Sequence, residues 1–200
     1  SPPISLSEPQ VSQFVQFDVN SPLGEEVFLG GDAAVVEDYV ELTSAQTNQS
    51  GSLLINAIPG DRQVKNLVVE FEVRTTGGTD PPGDGFTFTF GPDLFGSSLG
   101  DAIVPKGLSV TFDTFDNGGE DTAPAVEVVY DTVLKGGISF AGRHGERLPV
   151  YPVVENFLGE RQSLTTGDDF IPVQLALIID TATGGGLVNV TWNGLNILKN

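Results

Sequence analysis

GLSVTFDTFDNGGED, residues 107–121, begins as one kind of structure and ends as another. Leu108, Val110 and Phe112 recur at every second position, which puts three apolar side chains on one face of an extended strand. The nine residues from Asp113 to Asp121 then gather Asp113, Asp116, Asn117, Glu120 and Asp121 around Gly118-Gly119. A strand that ends in a group of oxygen donors admits three readings: paired catalytic carboxylates, a cation clamp, or an acidic loop in water.

The same period of two runs outward through the chain. In LVVEFEVR, Leu67, Val69, Phe71 and Val73 face one way while Glu70, Glu72 and Arg74 face the other; in DGFTFTFG, Phe86, Phe88 and Phe90 alternate with Thr87 and Thr89. VEVV, VQLALIID and LVNVTWNG follow with similar or more continuous apolar character. Turn clusters separate them: SPLGEE, IPGD, TTGGTDPPGDG, DNGGED and TATGGG. Helical periodicity is almost absent. Short strands broken by 25 glycines and 13 prolines predict an all-β fold, a jelly-roll sandwich of antiparallel sheets, with about a dozen strand candidates. Residues 1–13, rich in proline, read as an extended lead-in, and residues 14–200 as a single domain.

Composition removes several functions. With no cysteine there is no disulfide, thiolate metal site or cysteine nucleophile. The 27 acids against 9 bases, a net charge of −18, repel nucleic acid and anionic lipid headgroups. No run of eighteen apolar residues offers a membrane-spanning helix. With no methionine at all, Ser1 is not expected to be a natural start, and the chain reads as a processed product or a module excised from a larger multidomain protein. His144, the single histidine, rules out a multi-histidine metal site and reads as a loop residue among Arg143 and Arg147. No G-x-S-x-G nucleophile motif occurs.

Sandwich glycosidases that work with retention carry E-x-D-x-x-E on one strand, because their nucleophile and general acid must stand ~5 Å apart. Aligned on Asp113, this chain reads Thr111, Asp113, Asp116. A threonine cannot replace the carboxylate nucleophile, so hydrolysis is not expected. Calcium chemistry fits better. Ca²⁺ takes six to eight oxygens drawn from carboxylates, amides and backbone carbonyls, and D-x-F-x-N offers the Asp113 carboxylate, the Phe115 carbonyl and the Asn117 side-chain oxygen. Gly118-Gly119 lets Asp121, or alternatively Glu120, fold back to close the site.

The order of motifs resembles the legume-type lectin family, of concanavalin A-like fold. QFVQFDV, FLGGDAAVVEDYVELT and SGSLLINAIP resemble its F-x-F entry, its L-x-G-D-A-x-V…L-x-L-T segment and the strand that follows. NLVVEFEVRTT with GDGFTFTFGP resembles the approach to its A-D-G-hydrophobic-F-F-aliphatic-P motif. GSSLG resembles its G-G-x-L-G loop, GLSVTFDTFDN its metal strand, and LALIID…LVNVTWNG its last strands. The likeness runs over roughly residues 14–198. It implies that Asp84 is the sugar-binding aspartate and that Asn117 serves both Ca²⁺ and sugar. A backbone N–H near Ser97 would add a third sugar contact. Phe115 is the candidate stacking aromatic, with ordinary packing the other reading open to it.

The departures matter. Thr111 stands where the family has a glutamate and no downstream histidine follows, so no transition-metal site is expected. Gly83 stands where the family has alanine. Trp192, alternating with Val188 and Val190, reads as core. ENFLGERQSLTTGDDF, residues 155–170, reads as a long polar loop that either sets specificity or merely connects. The expectation is a non-catalytic, Ca²⁺-dependent carbohydrate-binding module of an extracellular or cell-surface protein. The alternatives are a structural or adhesive sandwich that keeps calcium without sugar, and a divergent glycoside hydrolase.

Overall fold

The computed structural model describes residues 20, 23–56, 64, 66–78, 83–92, 94, 107–115, 124–130, 133–139, 153–155, 158–180 and 185–199. Among the described residues there is no helix. The strands, in chain order, are β1 (Val27–Gly31), β2 (Ala34–Val36), β3 (Tyr39–Glu41), β4 (Gly51–Ile55), β5 (Asn66–Val73), β6 (Gly85–Phe90), β7 (Leu108–Asp113), β8 (Ala125–Tyr130), β9 (Val133–Ser139), β10 (Val153–Glu155), β11 (Arg161–Ser163), β12 (Ile171–Asp180), β13 (Gly185–Trp192) and β14 (Leu195–Lys199). Among the described residues all pair antiparallel: two four-stranded sheets, β6-β7-β8-β9 and β14-β13-β12-β5, and three two-stranded ones, β1-β4, β2-β3 and β10-β11.

The two large sheets bury one shared core, as alternation requires. Leu108, Val110 and Phe112 of β7 join Val126 and Val128 of β8 against Val173, Leu175, Val188, Val190 and Trp192 of the opposite sheet. Phe86 and Phe88 of β6 and Val69, Phe71 and Val73 of β5 pack on its margin. An aromatic stack joins the sheets: the Phe86 and Phe112 rings, on adjacent strands of one sheet, lie 4.6 Å apart and 10° from parallel, and Trp192 of the other reaches to 5.2 Å from Phe112. Such ring pairs add about 0.5–1.5 kcal/mol beyond the area they bury. Trp192 is 1% exposed, as its alternation predicts, and its Nε1–H donates to the Ser163 carbonyl at 2.9 Å.

That carbonyl belongs to the segment read from sequence as a long polar loop, and here the expectation needs correcting. Arg161–Ser163 pairs with β10, and Leu164, 1% exposed, fills the core from the side. Thr75 ties the segment down: its hydroxyl donates to the Leu164 carbonyl at 2.6 Å and its N–H to Thr166 Oγ1 at 3.1 Å. A second tie fixes β3 to the sheet containing β5: the Arg74 guanidinium carbon lies 4.9 Å from the Tyr39 ring centre and 4.8 Å from that of Phe170.

Candidate functional site

β7 has two different faces. Leu108, Val110 and Phe112 point into the core; Ser109, Thr111 and Asp113 point the other way, since successive strand side chains alternate. Register then assigns their neighbours. Thr111 stands between Thr87 of β6 and Glu127 of β8, and Asp113 between Gly85 and Ala125. Because the strands are antiparallel, the start of β6, the end of β7 and the start of β8 share one rim of the sheet. The chain entering β6 brings Asp84 to that rim, and Asp113 is the last ladder residue of β7 before the acidic segment.

At the rim the chain turns at once. The Phe115 N–H donates to Asp113 Oδ1 at 3.0 Å, an aspartate turn that ends the strand and fixes the carboxylate's orientation. Since the ladder stops at Asp113, this turn, rather than strand alternation, sets the direction of the Phe115 carbonyl. Phe115 itself is half-buried.

Asp84 is exposed, and its backbone is bound to the neighbouring strand. The Thr114 N–H donates to the Asp84 carbonyl at 3.4 Å, and the Thr114 hydroxyl donates to the Gly83 carbonyl. Gly85 follows with a φ of +99°, and a Cβ there would meet the Phe112 carbonyl oxygen at 2.0 Å. Only glycine permits so close an approach in that conformation. The glycine of the D-G-F segment is thus demanded by the abutment of β6 on β7.

At the position that would carry a glycosidase nucleophile, Thr111 Oγ1 accepts a hydrogen bond from Thr87 Oγ1 at 3.2 Å. The neighbouring Ser109 is wholly buried on the same face, and its Oγ has no hydrogen-bond partner among the described residues. Also among the described residues, no group of three or more His, Asp or Glu side chains gathers as a metal cluster. Ser97, Asn117 and Asp121, with Asp116, Glu120 and His144, lie outside the described residues. The structure therefore brings together Asp84, Asp113 and Phe115 from the residues singled out in sequence. Sequence reasoning did not single out Thr114, which had only its place after Asp113 to mark it.

The legume-like lectin family model matches residues 11–135. No curated protein matches the chain in sequence. Among solved structures, the VIP36 exoplasmic/lumenal domain in its Ca²⁺/Man-bound form matches with a TM-score of 0.56 at 18% identity, covering 96% of this chain and 78% of that one. Its Ca²⁺/Man3GlcNAc-bound form gives 0.57 at 15% identity over 95% and 76%. Its metal-free form gives 0.56 at 17% over 96% and 80%. These likenesses show the fold, a concanavalin A-like sandwich. The chain belongs to the legume-like lectin family.

Proposed function

We propose that this member of the legume-like lectin family is a non-catalytic carbohydrate-binding module whose sugar site lies at the shared rim of β6, β7 and β8. The observation that carries the proposal is the pairing of Gly85 with Asp113, which sets the Asp84 loop beside the strand that leads into the acidic segment. Asp84 accepts hydrogen bonds from sugar hydroxyls, and Asn117 and a backbone N–H near Ser97 complete the contacts. The forms in which the VIP36 domain is described, with Ca²⁺ and mannose and with Ca²⁺ and Man3GlcNAc, support this reading and suggest mannosyl glycans as the first ligands to try.

The donors fit calcium. Asp113 supplies a carboxylate already oriented at the strand end, and the Phe115 carbonyl, the Asn117 side-chain oxygen and Asp121 (or Glu120) would complete a set made only of oxygens, which suits a hard cation. When bound, Ca²⁺ supplies fixed positive charge that orients Asn117. Thr111, a neutral hydroxyl already engaged by Thr87, gives a transition metal no carboxylate. It also leaves retaining hydrolysis without its nucleophile. The function suits an extracellular or cell-surface protein, with the chain as one module of a larger whole. One sugar held by a few charge-assisted hydrogen bonds binds weakly, at about millimolar, because association costs absorb most of the gain; repeated modules then supply avidity.

A glycan array run with calcium and again with chelator tests the proposal. The expected result is binding to a defined set of glycans that chelator removes and Asp84→Asn abolishes. A silent array with a calcium-dependent rise in melting temperature would overturn sugar binding in favour of a structural or adhesive module. Reducing sugar released from laminarin or lichenan would overturn the non-catalytic reading.

A further inference from the structure

We propose that Thr114 is a positioning residue that holds the Asp84 backbone from the metal-binding strand, so that the Cα–Cβ bond carrying the sugar-binding carboxylate is directed by the protein's own contacts. This rests on the reading of Asp84 given above, but the contacts themselves do not.

Thr114 follows the last rung of β7 and is only 8% exposed. A hydroxyl that deeply buried needs a partner, because leaving it unpaired costs the desolvation of the group. It takes the Gly83 carbonyl. The N–H of the same residue takes the Asp84 carbonyl. Those two carbonyls belong to the two peptide planes on either side of the Asp84 Cα. Each plane is rigid, so holding both fixes φ and ψ of Asp84, and with them the direction of its Cα–Cβ bond. Gly85 then seats the chain against the Phe112 carbonyl without room for a side chain.

The segment Asp113-Thr114-Phe115 thus divides its work by residue. Asp113 presents a carboxylate at the rim, the Phe115 N–H orients that carboxylate, and Thr114 reaches across to the neighbouring loop. Calcium at Asp113 and sugar at Asp84 would be coupled through one intervening residue. A consequence follows for the hydroxyl alone: removing it loosens Asp84 while the donors proposed for calcium remain.

The test compares Thr114→Val, which keeps the shape and loses the hydroxyl, with Thr114→Ser, which keeps the hydroxyl. Three readouts are needed: affinity for mannose or for the best glycan of the array, calcium affinity by calorimetry, and amide hydrogen exchange. For Thr114→Val the expected result is a loss of sugar affinity of about tenfold, the size of one net hydrogen bond, with calcium affinity within about twofold of wild type. Exchange at Asp84, Gly85 and Thr114 should accelerate relative to core amides such as Leu175 and Val190. Thr114→Ser should restore all three. Thr114→Ala serves the same comparison should the valine variant not fold.

Unchanged sugar affinity in Thr114→Val would overturn the proposal. So would acceleration spread equally over the core amides, which marks plain destabilisation. If the wild-type protein binds no glycan, the lectin reading fails, and the clamp is judged by exchange alone. Local acceleration in valine but not in serine then upholds it, and unchanged exchange overturns it.

Discussion

Gly85→Ala is the sharpest test of how the site is built, because a single methyl group enters the joint between the Asp84 loop and β7. The methyl would lie 2.0 Å from the Phe112 carbonyl oxygen, 3.1 Å from its carbon and 3.2 Å from the Thr114 nitrogen. All three are backbone atoms of the neighbouring strand, so no side chain can rotate aside. The φ of +99° lies outside even the left-handed region that other residues visit, and such backbone costs about 1–3 kcal/mol. Relief requires the start of β6 to lift from β7. That gives up the Thr114–Asp84 hydrogen bond and a rung of the ladder, each worth about 0.5–1.5 kcal/mol net. The summed loss is about 2–6 kcal/mol. For a chain of this size each kcal/mol moves the melting temperature by about 2–4 °C, so a fall of roughly 4–24 °C is expected.

The assay is thermal unfolding with chelator present, so that no change in calcium binding contributes. Gly83→Ala is the matched control: two residues away, its added methyl meets nothing within 4 Å. It should leave the melting temperature unchanged or raise it slightly, since alanine narrows the unfolded ensemble by about 0.4–1 kcal/mol. A Gly85→Ala protein that melts with the wild type would refute the abutment of β6 on β7, and with it the account of how Asp84 is held.

Three further outcomes are expected. Asp113→Ala should abolish the calcium-binding isotherm in calorimetry; an unaltered isotherm would move the site away from this strand end. Trp192→Phe should cost about 2–4 kcal/mol in urea unfolding, because it thins the aromatic stack and leaves the Ser163 carbonyl without its donor; a loss below about 1 kcal/mol would deny that hydrogen bond its role. Arg74→Ala should cost about 1–2 kcal/mol through the two ring faces it meets, and a double-mutant cycle with Phe170→Ala should show the two substitutions coupled rather than additive.

The sandwich was legible because alternation is a local signal. Leu108, Val110 and Phe112 announce the inner face of β7 within five residues, and Trp192 follows Val188 and Val190 into the core in the same way. Continuous apolar runs say less. VQLALIID buries Val173 and Leu175 yet leaves Ile178 48% exposed, a division that its sequence alone does not reveal. Residues 155–170 misled for a related reason: one leucine among polar neighbours has no period, so nothing marked Leu164 as core or Ser163 as the acceptor for Trp192. Asp84, Asp113 and Phe115 stood out by their chemistry and their motifs. Thr114 did not, because its task depends on the register of β6 against β7, and its partners lie 30 and 31 positions away.

That register also explains why the rim can be held to a fixed shape while carrying acids such as the exposed Asp84 and the half-buried Asp113. β7 is buried on its inner face between Phe86, Val126 and Trp192, and interiors so packed deform little. A strand fixed along one face can move its end only by slipping, and a slip of one residue would turn Phe112 outward and Asp113 into the core. That exchange would expose a large side chain and bury a carboxylate, and both are unfavourable. Small changes in the core are therefore expected to alter stability without re-aiming Asp84. Changes at Gly85 or Thr114, which touch only the joint between strand and loop, should re-aim Asp84 even where the core is left intact.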